Sequence, residues 1–164
     1  YGWSALRYFL YEYEYSLFSQ SRTSTQKIHW DRFVNEKDTV SIEHILPQEC
    51  SNKYWKANFK NVSKKNMGLL SNSLGNLLPL SMAINSSLQN DGFHEKKSVK
   101  KDSEGNIIRN GFENGSYSEI EISSLEEWTP EQIKLRGLRL LGFMEKRWNI
   151  KFKYDETRES LLFL

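Results

Sequence analysis

The sequence predicts an α+β domain, with a few short strands set into a mostly helical chain. Three observations lead there. Residues 3–18 carry apolar side chains at helical spacing, residues 129–148 open with a helix-start signature, and residues 39–46 are β-branched and apolar with a proline behind them. At 164 residues the chain fits a single domain, 1–164, since domains usually run to roughly 100–200 residues.

In the first element, Trp3, Leu6, Leu10, Tyr13 and Leu17 recur at steps of three and four and line one helix face. Tyr8, Phe9, Tyr11, Tyr15 and Phe18 widen that face, so the helix over 1–18 is expected to be packed on more than one side. Residues 39–46 (TVSIEHIL) read as a short strand that delivers Glu43 and His44 near its end, where Pro47 stops the ladder. Residues 50–73 are rich in Asn, Lys and Ser, with Trp55, Phe59 and Val62 at helical spacing, which predicts a short helix inside an insertion. Gly75 and Asn76 mark a turn, 77–80 a short extended piece, and 81–89 a helix whose first turn Ser81 would cap.

Turn signals through 102–118 surround Ile107, Ile108 and Phe112 and predict a surface hairpin. The last helix is the cleanest. Thr129 is a good N-cap, Pro130 takes the first helical position and Gln132 completes a capping box. Ile133, Leu140, Leu141, Met144 and Trp148 form its expected buried stripe, with Arg136, Arg139, Lys146 and Arg147 off it.

Composition narrows the function classes. Five Trp, eight Tyr and nine Phe supply a core, while 27% charged residues and a mean hydropathy of −0.67 indicate a soluble domain. The chain opens at Tyr1 directly in an amphipathic pattern, and no apolar run approaches the roughly 18–20 residues that span a bilayer. A piece of a longer cytoplasmic protein, with no membrane contact, is expected. The single cysteine, Cys50, excludes an internal disulfide and a cysteine-rich zinc site, and reads as a small apolar filler. Net charge is only +2, but it is segregated. From residue 51 to 101, nine lysines face two acids, Asp91 and Glu95, which makes that stretch +7 and the remainder −5. Such a basic middle is what phosphate contacts require, and equally what a solvated lysine-rich loop looks like.

Two segments carry chemistry: residues 41–48 (SIEHILPQ) and residues 75–85 (GNLLPLSMAIN). Hydrolysis of a phosphodiester needs a general base for water and positive charge at the oxygens that gain electrons. A neutral imidazole, here His44, suits the first task near pH 7. A hard cation such as Mg²⁺ prefers carboxylate and amide oxygens, which Glu43 and Asn85 would provide. In a regular strand Glu43 faces away from His44, unless the strand ends there and both open into one cleft. Asn76, at a turn, can donate and accept, and so could orient either the imidazole or the loop. His29 and His94 have no partner motif.

Together the segments are more specific than either alone. Glu43-His44-Ile45 followed by Asn76-Leu77, Leu80 and Asn85 resembles the ββα-metal signature of HNH (His-Me finger) nucleases. Ser81 and Ile84 stand where many relatives carry cysteines, so no structural zinc is expected. The likeness extends to the C-terminal nuclease domain of the GmrSD family of modification-dependent restriction enzymes. Residues 7–14, 41–48 and 74–85 carry it, then Phe93 with Lys96-Lys97, then Trp128-Thr129, Ile133, Arg136 and Trp148. These segments span nearly the whole chain in the family's order.

This resemblance implies a ββα-metal element over 39–90 embedded in a mostly helical domain, with 101–118 as a surface insertion and 129–148 as the C-terminal helix. It implies a metal-dependent DNA endonuclease acting in bacterial defence against phage. His44 carries over as general base, Glu43 and Asn85 as ligands of Mg²⁺ or Mn²⁺, and Asn76 as the residue that steadies loop and base. Lys96, Lys97 and Arg136 become candidates for phosphate contacts, although Arg136 equally suits a structural pairing with Glu12 or Glu14. Implied partners are DNA, with modified phage DNA as a candidate target, and an upstream nucleotide-hydrolysing domain. The chain departs from the pattern in two places: Glu43 replaces the Asp of many HNH enzymes, and the gap from His44 to Asn76 is long. The alternative is a catalytically inactive DNA-binding or regulatory module on the same scaffold.

Overall fold

The computed structural model describes residues 3–35, 40–81, 88–152 and 155–162. They fall into two compact units. One comprises His44–Leu77 and Trp128–Leu164, the other Gly2–Glu43 and Leu78–Glu127.

The first unit is helical. α3 (Lys53–Asn58) is capped by Asn52, whose side chain accepts from Tyr54 N–H at 2.8 Å. α4 (Lys64–Asn72) is capped by Ser63, which accepts from Asn66 N–H at 3.2 Å. A single helix was expected in this stretch. Two form because each has its own cap, and Val62 lies in the link between them. Trp55 and Phe59 are buried as the spacing required. A 3₁₀ turn over Leu74–Asn76 follows.

α7 (Pro130–Trp148) begins at the expected cap: Thr129 accepts from Gln132 N–H at 3.4 Å and Pro130 sits at its start, although the capping box expected of Gln132 is shown only in this half. It ends at Asn149, which adopts the left-handed conformation with φ 50°. Its buried stripe is Ile133, Arg136, Gly137, Leu140 and Leu141, with Met144 and Trp148 half-buried. Arg136 therefore lies on the stripe, not off it. The 3₁₀ turn presses against this face: a Cβ on Gly75 would stand 1.9 Å from the Ile133 carbonyl oxygen. Glycine is needed there for close approach. α8 (Asp155–Leu161) follows, with Leu162 buried against Gly137.

In the second unit α1 (Leu6–Gln20) buries Leu6, Phe9, Leu10, Tyr13 and Glu14, while Trp3 is exposed and Leu17 half-buried. α2 (Trp30–Asn35) brings Phe33 under Tyr11 and Trp30. β1 (Val40–His44) pairs with β2 (Leu77–Ser81) in a two-stranded sheet. Most of the predicted helix over 81–89 lies outside the described residues. α5 (Phe93–Lys97) precedes the expected hairpin, in which β3 (Lys100–Lys101) runs antiparallel to β4 (Ile107–Arg109) around Gly105 at φ 87°.

A 3₁₀ turn over Phe112–Asn114 leads into α6 (Tyr117–Ser123), where Ser116 and Glu119 form a reciprocal capping box. Glu14 of α1 accepts from the backbone N–H groups of Tyr117 and Ser118 at 2.8 and 2.7 Å, and from the Ser118 hydroxyl. Burial raises the Glu14 carboxyl above its usual range against these lowering hydrogen bonds. Burial likewise pushes Glu119 up to about 8, opposed by its bonds to Ser116.

Candidate active site

β1 ends at His44, and the chain on either side of that residue is held by buried polar contacts. In the second unit, Glu43 is 5% exposed and its Oε1 accepts from Lys96 Nζ at 2.6 Å. Lys96 is sealed completely from solvent. A fully buried lysine is rare unless paired, and the short distance is that of a charge-assisted bond. α5 places it: Phe93 is buried as an anchor, and Gly92 N–H donates to Glu95 Oε2 at 2.6 Å, closing the first turn. Burial pulls the Lys96 ammonium below the usual lysine range, and the Glu43 carboxylate works against that shift. Buried Arg109 is also nearby, donating to Asp91 Oδ2 at 2.9 Å and to the Glu95 carbonyl at 2.7 Å. Glu43, Asp91, Lys96 and Arg109 thus share this corner, with the Glu119 carboxyl close enough to act on Glu43.

In the first unit, Asn76 is fully buried and uses every bonding position that a side-chain amide has. Its Oδ1 accepts from Leu46 N–H at 2.8 Å and from Trp128 Nε1–H at 3.0 Å. Its Nδ2 donates to the Leu46 carbonyl at 2.9 Å and to the Ser71 carbonyl at 2.8 Å. The Asn76 backbone carbonyl also accepts from Ile45 N–H at 3.1 Å. The two residues after His44 are therefore pinned to one asparagine. Of the two tasks considered for Asn76, the geometry gives it the loop: its amide holds Leu46 rather than the imidazole. His44 itself is half-buried, with Nε2 shielded from solvent.

The remaining predicted residues divide. Arg136 is buried, and its Nη1 donates to the Gly75 and Leu77 carbonyls, both at 2.8 Å. It braces the backbone on either side of Asn76. Lys97 is half-buried, donating to the Leu125 carbonyl at 2.7 Å and lying over the Phe93 ring at 5.9 Å. Lys96 and Arg136, expected as candidate phosphate contacts, are both buried with their heads against internal acceptors. The charge that does face solvent is on Lys53, Lys56, Lys60, Lys64 and Lys65 of the first unit and on Lys100 and Lys101 of the second. His94 meets Glu127 at 3.1 Å on the surface, and half-buried Cys50 donates to the Pro47 carbonyl. Asn85 lies outside the described residues.

Sequence reasoning missed the supports of Asn76. Trp128 is fully buried, and its backbone N–H donates to Tyr54 OH at 3.0 Å while its indole reaches Asn76. A tryptophan immediately before a helix cap was the available signal. For a divalent ion, Glu43 offers a hard carboxylate, but its Oε1 is already engaged by the buried Lys96 ammonium. Among the described residues no group of three or more His, Cys, Asp and Glu gathers as a metal cluster. Nor does any described helix have the length and apolarity to cross a membrane.

No curated relative and no solved structure matches the chain. Residues 1–143 match the family described as GmrSD restriction endonucleases, C-terminal domain. With that match over most of its length, the chain belongs to the GmrSD restriction endonuclease C-terminal domain family.

Proposed function

We propose that this domain is a metal-dependent DNA endonuclease of the HNH type, with His44 as the general base. The reading is supported above all by the strand end. Glu43 and His44 close β1, and Asn76 fixes the backbone immediately beyond them. A base that must meet a water and a phosphorus atom in line needs such a fixed backbone, because small displacements lose rate steeply.

In this mechanism His44 takes a proton from the attacking water at a ring nitrogen, and the hydroxide attacks phosphorus opposite the departing 3′ oxygen. Glu43 and Asn85 would hold Mg²⁺ or Mn²⁺, which would supply positive charge for the oxygen that departs. The products carry a 5′-phosphate and a 3′-hydroxyl. Exposed lysines on and between α3 and α4 supply the sequence-independent attraction for the DNA backbone. The wider role is cleavage of modified phage DNA in the bacterial cytoplasm, directed by an upstream nucleotide-hydrolysing domain.

The test is nicking of supercoiled plasmid with Mg²⁺, Mn²⁺ or EDTA, for wild type and Asn85→Ala. Cutting that requires the metal and falls at least about 100-fold in Asn85→Ala is expected. DNA binding without cutting in any metal would instead indicate the inactive binding module.

A further inference from the structure

The β3–β4 hairpin leaves its own apolar residues in solvent. Ile107 and Ile108 stand side by side on β4 and are each 61% exposed. Exposed apolar residues are ordinary when scattered singly, but here two are adjacent. A regular strand would turn one of them to the opposite face. The register breaks that alternation: Lys100 pairs with Arg109 and Lys101 with Ile107, so Ile108 is an extra residue between the two pairs. A bulge of this kind re-aims a side chain.

The ribbon is tied at both ends. At the turn, Asp102 Oδ1 accepts from the N–H groups of Glu104 and Asn106, both at 2.9 Å, and Oδ2 accepts from Asn106 Nδ2 at 3.0 Å. At the base, Arg109 donates to Asp91 and to the Glu95 carbonyl, and Val99 N–H donates to Glu113 Oε1 at 3.2 Å. Across from the isoleucines, Lys100 and Lys101 are exposed. Residues paired across antiparallel strands have Cβ atoms about 4.5–5.5 Å apart, so the Lys101 stem starts beside Ile107. The exposed acids Asp102 and Glu104 equal these lysines in number but stand at the turn, and Asp102 is engaged by the turn's own donors. Cations thus lie beside the isoleucines, and the acids lie beyond them.

We propose that the β3–β4 hairpin is a DNA wedge, in which Ile107 and Ile108 enter a base step from the minor groove while Lys100 and Lys101 hold the flanking phosphates. It deepens the nuclease reading and rests on it for DNA as the partner. β-Ribbons enter DNA grooves, and isoleucine is among the side chains that wedge between base steps and kink the duplex. An isoleucine offers no hydrogen bond to a base edge, so its gain comes from leaving water against base faces. Lysine is depleted in protein–protein interfaces, which argues against a protein as the occupant.

The experiment measures affinity for a short duplex, and the distance between dyes on its two ends, in EDTA so that no strand is cut. Wild type should draw the ends together, by a kink of at least about 20°. Ile107→Thr/Ile108→Thr keeps two β-branched residues, so its Tm should match wild type within a few degrees. This variant should bind at least about tenfold more weakly and leave the duplex straight at saturation. Lys100→Ala/Lys101→Ala should lower the slope of log affinity against log salt by about two. A threonine variant that bends DNA as wild type does overturns the proposal and leaves the isoleucines to a protein partner. Wild type that binds without bending overturns it too, as does an unchanged salt slope in the lysine variant. A large fall in Tm for the threonine variant also counts against it, because the isoleucines would then serve packing.

Plasmid nicking run alongside with Mg²⁺ separates the two readings. Nicking by wild type, with bending unaltered in the threonine variant, removes the wedge and leaves the nuclease. Bending that depends on the isoleucines, with no nicking in any metal, removes the nuclease and leaves the wedge.

Discussion

Asn76 and Lys96 are both polar side chains shut away from solvent, one in each unit, and they are held in different ways. Asn76 makes four neutral hydrogen bonds to four groups, three of them backbone, and has no bonding capacity left. Lys96 places one charge against one carboxylate, in company with a second ion pair. A saturated amide has one good arrangement and resists exchange. An ion pair persists while its partner is there. The domain thus keeps a saturated amide clamp just after His44 and a buried ion pair just before it.

The sharpest way to break this contrast is Asn76→Ala. It leaves four buried groups without their partner, at roughly 1–3 kcal/mol for each one that stays unsatisfied. A loss of about 4 kcal/mol is expected, or a fall in Tm of roughly 8–16 °C for a chain of this size. A fall under a few degrees by calorimetry would mean that the clamp is dispensable.

Gly75→Ala should come next. The added methyl would stand 1.9 Å from the Ile133 carbonyl oxygen and 2.8 Å from the Gly137 nitrogen, so backbone would have to shift. A cost of about 3 kcal/mol is expected, the upper end for an overpacked site, read in chemical denaturation. An unchanged midpoint would show that the 3₁₀ turn does not have to sit so close to α7.

Glu119 extends the comparison to a third buried polar group. Its folded carboxyl keeps a proton up to about 8, whereas the unfolded chain releases it near 4.5. Folded protein then binds more protons through that window, so stability falls as pH rises from about 4.5 towards 8. Glu119→Gln, which cannot ionise, should be the more stable protein at pH 8 by several degrees of Tm, with the gap closing towards pH 5. A gap that does not vary with pH would contradict the assignment.

The smallest effects belong to the surface. Lys60→Ala and Lys64→Ala should change stability by under about 0.5 kcal/mol. Each should lower the slope of DNA affinity against salt by about one unit if that lysine meets a phosphate. A slope equal to wild type would place the DNA elsewhere.

What was legible in the chain follows local physics. The capped helix after Thr129, the strand ending at His44 and the hairpin near Gly105 each announce themselves through short-range signals, and all three are present. The burial of Arg136 and Lys96 was not legible, because basic side chains usually face water. Their burial depends on acceptors distant in sequence, the Gly75 and Leu77 carbonyls and the Glu43 carboxylate. Arg136 had nevertheless been marked by position, three residues after Ile133 and four before Leu140 on the apolar stripe. α6 was hidden because Asn-Gly and Gly-Ser turn signals run up to its cap, Ser116. The pairing of residues Glu43-His44 with Asn76 was readable as a motif. That Asn76 grips Leu46 was not, since nothing in spacing says which atoms an amide will meet.

The central claim is that His44 makes the nucleophile, and His44→Ala tests it most directly. Wild type and variant should melt at the same temperature within a few degrees and be assayed for plasmid nicking at equal metal and pH. The account predicts a loss of roughly 100- to 10,000-fold, the usual contribution of a general base, with DNA binding retained. A folded His44→Ala domain that nicks as fast as wild type would contradict it.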